Sequence, residues 1–447
     1  MIKTLQQRLS EPNQSYQHYI KQCLDHAEQY RQDGGKAYIS LEPDLILQAA
    51  KAADATRANG ASTSPLHGLA VNIKDLFDVC DEVTTAGSII RSSAKAATQD
   101  AVAVERLRQA GAICFGRGNM SEFAFSGLGS NPHYGTPTFS DHGTRIAGGS
   151  TSGGAVAVAL QHCVAALGTD TGGSLRIPAA FCNLVGFKPS ASRIPSEGAF
   201  PLSFSLDSIG AITHCVEDAI LLDEVLSATP HRIVAPAPQT LRLAYSDDYF
   251  LDDADSEVMR AWTHALNTLK QAGIELVKID LSILKTLPEI NQAGGLTAAE
   301  AWFIHRNQLR DSNLASQYDP RVAQRIQRGQ QISAADYLEL QQKRRRLIEN
   351  VQTQLTEFDA LIHPTVAIVP PRLDELDQDQ DFFRLNGLVL RNTSVMNFLD
   401  GCALSLPCSL ANTLPVGLSI AGLHGQDTQI LGVSLTVESL LQQGATT

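Results

Sequence analysis

Residues 145–190, RIAGGSTSGGAVAVALQHCVAALGTDTGGSLRIPAAFCNLVGFKPS, decide the fold, because two glycine-rich clusters there bracket one apolar run. The first cluster is Gly148-Gly149-Ser150-Thr151-Ser152-Gly153-Gly154 and the second is Gly168-Thr169-Asp170-Thr171-Gly172-Gly173-Ser174. The run between them, 155–167, is interrupted only by Gln161 and His162. It falls short of the roughly 20 apolar residues that span a membrane and reads as one buried helix, with the first cluster at its N-terminus.

Glycine tolerates positive φ and lets backbone approach closely, so the second cluster can turn several N–H groups toward one point, as oxyanion binding requires. Ser174 ends that cluster and would present a hydroxyl there. Tight turns between strands and helices are the plainer explanation of the same residues. Phosphate binding is a third, but neither cluster has the lysine that a phosphate-binding loop carries after its last glycine. A serine hydroxyl needs a base to become a nucleophile, and the G-x-S-x-G elbow of Ser-His-Asp hydrolases occurs nowhere in the chain. A different base is offered by 65–79, PLHGLAVNIKDLFDV, where Lys74 ends an apolar, strand-like run. Lysine is rarely buried without a partner, so Lys74 is either a surface residue paired with Asp75 or a functional amine.

These residues resemble the amidase signature family of serine hydrolases. The matching pieces are GLAVNIKDLFDV at 68–79, TTAGS at 84–88, GRGNMSEFAFS at 116–126, GGSTSGGAVAVA at 148–159 and GTDTGGSLRIPAAFCNLVGFKPS at 168–190. SLDSIGAIT at 205–213, DALIHPTVAIVPP at 359–371, NFLDGCALSLP and LPVGLSIAG extend the match over nearly the whole chain. Ser150 and Ser174 lie 24 positions apart, the separation the family keeps between its bridging serine and its nucleophile. The resemblance implies that Lys74 is the base, Ser150 a bridging serine on a cis peptide and Ser174 the nucleophile. It further implies that Thr171, Gly172, Gly173 and Ser174 supply the oxyanion-hole N–H groups. Ala147, Thr151 and Ser190-Ala191-Ser192 depart from the family pattern and touch none of the three catalytic positions.

The chemistry is self-consistent. A lysine acts as a base near neutrality only if burial pulls its pKa from about 10.4 to roughly 7–8, and a dry pocket under glycine-rich loops would do so. Lys74 would then take the proton of Ser150 as Ser150 takes that of Ser174, a relay that needs no histidine.

With 447 residues and 43% hydrophobic content the chain can bury a large core, and its net charge of −12 argues against nucleic acid or anionic membrane as partner. The basic run Lys343-Arg344-Arg345-Arg346 reads as a solvated helix face. Eight scattered cysteines without a C-x-x-C pair read as reduced core residues of a cytoplasmic protein, and residues 1–22 lack the apolar core of a signal peptide. His363 as a metal ligand has no spaced His or Cys partner. No metal or organic cofactor is implied, and a homodimer stays open.

The expected fold class is α/β, a large mixed sheet sandwiched by helices in a single domain, 1–447. Residues 1–55 read as N-terminal helices, with Ile20, Cys23, Leu24 and Ala27 on one stripe and Leu45, Ile46, Ala49 and Ala50 on another. The signature core is 65–228, a helix-rich substrate-side part 241–395, and 396–447 returns to the core. A Pro/Ala-rich link, 229–239, joins two parts of one sheet. Ser333 with Asp336 reads as a capping box, and the family resemblance implies that specificity resides in the helices of 296–357 and in 363–371. The implied function is an amidohydrolase working through an acyl-enzyme on Ser174. The rival is the amidase subunit of a tRNA-dependent amidotransferase; a catalytically inactive binding protein on the same fold is a third reading.

Overall fold

In a computed structural model, residues 1–11, 13–60, 64–139, 144–230 and 232–444 are described. Position 231 of the Pro/Ala-rich link and positions 445–447 of the C-terminal return lie outside them. The strands are β1 (Tyr38–Ser40), β2 (Ala70–Lys74), β3 (Ile113–Gly118), β4 (Ala165–Asp170), β5 (Val185–Lys188), β6 (Ser208–Thr213), β7 (Arg242–Tyr245), β8 (Glu275–Lys278), β9 (Ala360–Pro364), β10 (Cys402–Pro407) and β11 (Gly417–Gly422). They form one eleven-stranded sheet in the order β1-β3-β2-β4-β6-β5-β10-β11-β9-β7-β8. Parallel pairs β3/β2, β2/β4, β9/β7 and β7/β8 flank an antiparallel middle, so the sheet is mixed, as expected.

Both faces are covered, and the two-residue period of the strands shows how. On β10, Cys402, Leu404 and Leu406 join one core and Ala403 another; on β9, Ala360 and Ile362 join the first and Leu361 the second. The first core is closed by helices Val216–Ser227, Ser256–Gln271 and Asp427–Gly444, which add Ala219, Trp262 and Ile430. The second is closed by Ala334–Leu355 and Asp379–Phe398 through Val351, Val395 and Met396. Each fully buried aliphatic side chain of this kind contributes about 1.5–3 kcal/mol of transfer free energy.

Within the helix-rich part, residues 295–355 form helices Gly295–Arg310, Ser312–Ala315, Pro320–Gln327 and Ala334–Leu355, the last opened by the expected Ser333/Asp336 capping box. Three readings are corrected. The run 155–167 is not one helix: helix Ser152–Ala159 ends, Gln161 turns the chain at φ +59°, and 165–167 begin β4. Residues 1–55 are not wholly helical, because β1 lies between helices Tyr16–Gln32 and Pro43–Ala58 and pairs with β3. In the second of those helices the buried stripe is Ile46, Ala50 and Ala53, whereas Leu45 and Ala49 face solvent.

Candidate active site

Lys74 ends β2 and Asp170 ends its parallel neighbour β4, so both sit at the carboxyl ends of adjacent strands, where open α/β sheets form their crevices. The first glycine cluster reaches the same edge because helix Ser152–Ala159 packs on β4 and β2. The Gly149–Ser150 peptide bond is cis.

Lys74 is completely buried. Its Nζ lies 2.8 Å from Ser150 Oγ, 2.9 Å from Thr169 Oγ1 and 3.4 Å from the Thr169 carbonyl oxygen. It forms no ion pair among the described residues, and Asp75, its neighbour in sequence, is held by Arg117 Nε at 3.0 Å. Burial lowers the Lys74 pKa from 10.5 to about 7, against the opposing pull of Asp170 and Asp207. As a neutral amine it has two N–H donors and one lone pair. Thr169 can absorb both donors, which leaves the lone pair for the Ser150 hydroxyl.

The second cluster wraps around Asp170, which accepts the Gly173 N–H on Oδ1 at 2.8 Å and the Leu175 N–H on Oδ2 at 3.2 Å. Arg176 clamps the same carboxylate in a fork, Nε to Oδ2 at 3.0 Å and Nη2 to Oδ1 at 2.8 Å, and Asn397 Nδ2 adds a bond to Oδ1 at 2.9 Å. Burial alone would raise the Asp170 pKa; the Arg176 guanidinium outweighs it and holds the group at about 2. The loop 170–175 therefore hangs on a permanent charge. Thr393 pins it from helix Asp379–Phe398, donating to the Gly172 carbonyl at 2.6 Å.

Ser174 is buried beside Ser150, its carbonyl accepting the Thr151 N–H at 3.2 Å, and its hydroxyl has no hydrogen-bond partner among the described residues. Of the four N–H groups expected at an oxyanion hole, that of Gly173 already has an acceptor in Asp170, while those of Thr171, Gly172 and Ser174 have none among the described residues. Gly173 shapes the turn: its φ is +132°, and a Cβ there would lie 2.2 Å from Thr393 Oγ1. Gly173→Ala is expected to lower the melting temperature and to cut kcat by about 10²-fold, since one displaced oxyanion donor costs that much; thermal unfolding and steady-state rates on one preparation check it.

The structure thus gathers Lys74, Ser150, the Ser174 loop and its backbone donors at one edge of the sheet. Thr169, Asp170 and Arg176 lay within the quoted stretch, yet nothing local distinguished them from turn residues. Asp207 and Asn397 lie within the matched pieces SLDSIGAIT and NFLDGCALSLP, which gave them no role at the site, and Thr393 lies outside every matched piece. His363 is a buried core residue with Nδ1 2.8 Å from the Pro364 carbonyl oxygen, stacked on Phe250, and burial pushes its pKa down to about 3. No cluster of metal-binding side chains surrounds it among the described residues. Residues 368–371 line a cleft with Leu385 and Leu388, whereas the residues of that helix meeting the 172–173 turn are Leu390, Thr393 and Ser394.

A hydroxyl beside unoccupied backbone donors and a buried amine of near-neutral pKa suits attack on a carbonyl carbon, and the protein is an amide-hydrolysing enzyme of the α/β class. Comparison with known proteins gives its family: the sequence model named Amidase matches residues 18–431, and the chain belongs to the amidase signature family. The 2-amino-5-chloromuconic acid deaminase of Comamonas testosteroni is 35% identical over 91% of this chain and 89% of its own. A glutamyl-tRNA(Gln) amidotransferase subunit of Acidobacterium capsulatum is 31% identical over 94% of this chain and 95% of its own. A crystal structure of an amidase superposes with a TM-score of 0.88 at 29% identity, covering 98% of this chain and 99% of that one.

Proposed function

We propose that the protein hydrolyses a small carboxamide to carboxylate and ammonia or amine through an acyl-enzyme on Ser174. The observation that carries this reading is the 2.8 Å line from Lys74 Nζ to Ser150 Oγ in a site where burial brings the lysine to about pKa 7. Ser174 attacks the carbonyl carbon, its proton passes to Ser150 and that of Ser150 to Lys74. The oxyanion that forms is met by the N–H groups of Thr171, Gly172 and Ser174. Collapse breaks the C–N bond as the relay returns the proton to the departing nitrogen. Water, deprotonated through the same relay, then cleaves the ester and frees the carboxylate.

The amidotransferase reading is favoured by the glutamyl-tRNA(Gln) amidotransferase relative at 31% identity. Against it stands the surface. Apart from 343–346 no basic stretch suits a tRNA complex, and within that run Lys343 pairs with Glu339 while Arg344 is turned onto the Phe398 carbonyl. The protein alone is expected to hydrolyse at least one small apolar or aryl carboxamide at a kcat of roughly 1–10³ s⁻¹, and faster than glutamine. A panel of amides read by ammonia release checks this. Inertness toward every amide alone, with ammonia released from glutamine once a partner protein and charged tRNA are added, would establish the rival instead.

A further inference from the structure

Two acidic side chains near the catalytic edge are paired with no cation among the described residues. Asp207 accepts the Thr171 hydroxyl on Oδ1 at 2.5 Å, and on Oδ2 the N–H groups of Leu202 at 3.0 Å and Ser203 at 3.1 Å. Glu300, on helix Gly295–Arg310, is buried and accepts four bonds: the Ser203 hydroxyl at 2.7 Å, the Ser205 N–H at 2.9 Å, the Ser205 hydroxyl at 2.5 Å and the Tyr337 hydroxyl at 2.8 Å. Between them the 202–207 turn is closed by the Ser203 carbonyl, which accepts the N–H groups of Leu206 at 3.1 Å and Asp207 at 2.9 Å. One continuous chain of hydrogen bonds therefore runs from the helices of 295–355 through Glu300, the 203–205 backbone and Asp207 to Thr171.

Burying a carboxylate without a cation is costly, and burial pushes the Asp207 pKa up to about 6 despite its three hydrogen bonds; an amide in its place would turn its NH2 toward either Thr171 or the two backbone N–H groups, where the carboxylate only accepts. The charge is thus in use. We propose that Asp207 is a positioning residue for the oxyanion-binding loop, acting through the Thr171 hydroxyl, and that Glu300 ties that loop to the substrate-side helices. This rests on the reading of Ser174 as nucleophile and deepens it: helices Gly295–Arg310 and Ala334–Leu355, through Glu300 and Tyr337, set the aim of a donor inside the site. Asp207 holds Thr171 by its side chain, which leaves the Thr171 N–H directed to the substrate oxygen. Its negative charge also acts on Lys74, raising that amine's pKa alongside Asp170. The charged groups that act on this pair are Glu300 on Asp207, Lys74, whose amine feels Asp207, and Arg344, which feels Glu300; Arg176 is committed to Asp170. Phe204 and Phe303, an exposed edge-to-face pair with ring centroids 6.1 Å apart, cap the same junction from outside.

The test is a double-mutant cycle on the best amide, with Ser174 labelling by a fluorophosphonate followed in parallel. Asp207→Asn and Thr171→Val are each expected to lower kcat about 10²-fold with KM within about threefold, because an oxyanion donor is lost from position and ground-state binding is not. The double variant falls no further than about threefold below the worse single, because both remove one connection. The acid limb of the kcat profile moves to lower pH in Asp207→Asn and moves less in Thr171→Val, which keeps the carboxylate but removes the hydrogen bond that lowers its pKa, a difference that mere loosening of the fold would not produce. Glu300→Gln lowers kcat about tenfold. An Asp207→Asn enzyme within threefold of wild type in kcat and labelling rate, losses that multiply in the double variant, or an unmoved acid limb would overturn the inference alone. A wild type neither labelled at Ser174 nor active on any amide would overturn the acyl-enzyme reading, and this inference with it.

Discussion

Ser174→Ala is expected to turn over its amide about 10⁴–10⁶ times more slowly than the wild type, because the proposed covalent path has lost its attacking atom. The loss falls in kcat. Backbone donors, the Asp170–Arg176 clamp and the pocket walls are untouched, so amide binding persists and KM moves little. The residual rate reports what the oxyanion donors do for water alone. Stability is expected to stay level, because the deleted hydroxyl makes no hydrogen bond with the described residues and so leaves no partner stranded. Steady-state kinetics with a melting curve on the same preparation check both halves. Activity within tenfold of wild type would mean that another group attacks.

Lys74→Met is the second large loss, about 10²–10⁴ in kcat, the range for removal of a positioned base. Two further signs separate it from damage. In the wild type only neutral Lys74 can accept a proton, so kcat rises with pH through about 7 and then levels; the variant lacks this limb, while single His→Ala changes retain it. Stability moves the other way from activity. The amine binds its proton at about 7 in the folded chain and near 10.5 when unfolded, so between those pH values the unfolded state holds more protons and stability rises with pH. Below about 7 the full penalty of burying the charge is present. Methionine removes it at similar volume, so the variant melts at or above the wild-type temperature at pH 7, and the gap closes toward pH 10. A variant that melts far lower at every pH would make Lys74 a structural residue first.

What the sequence disclosed and what it withheld follow from the range of the physics involved. Turn chemistry is local, so two glycine clusters and a lysine closing an apolar strand stood out in the sequence, and the family resemblance then picked Lys74, Ser150 and Ser174 from among them. The split of 155–167 into helix and strand was not visible, because the apolar residues on either side of Gln161 and His162 have no period by which a buried helix differs from a buried strand. It is decided at Gln161, where a non-glycine residue takes φ +59°. Strand β1 was hidden by its three-residue length, and only pairing with β3 makes it a strand. At the site, the family resemblance implied four oxyanion donors, and the Asp170 carboxylate that occupies one of them belongs to the same stretch but acts through a fold-back that spacing does not reveal. Asn397 reaches Asp170 from 227 residues away, and such contacts are written in packing alone.

The central claim is that Ser174 becomes the nucleophile when neutral Lys74 draws a proton through Ser150. Its most direct test is to treat the protein with a fluorophosphonate across pH 5–9 and map the modified residue by peptide mass spectrometry at each pH. A single adduct on Ser174 is expected, with a rate of formation that climbs through about pH 7 in the wild type and is flat and slow in Lys74→Met. An adduct on Ser150 or Ser152, or labelling of Ser174 at a rate indifferent to both pH and Lys74, would contradict it.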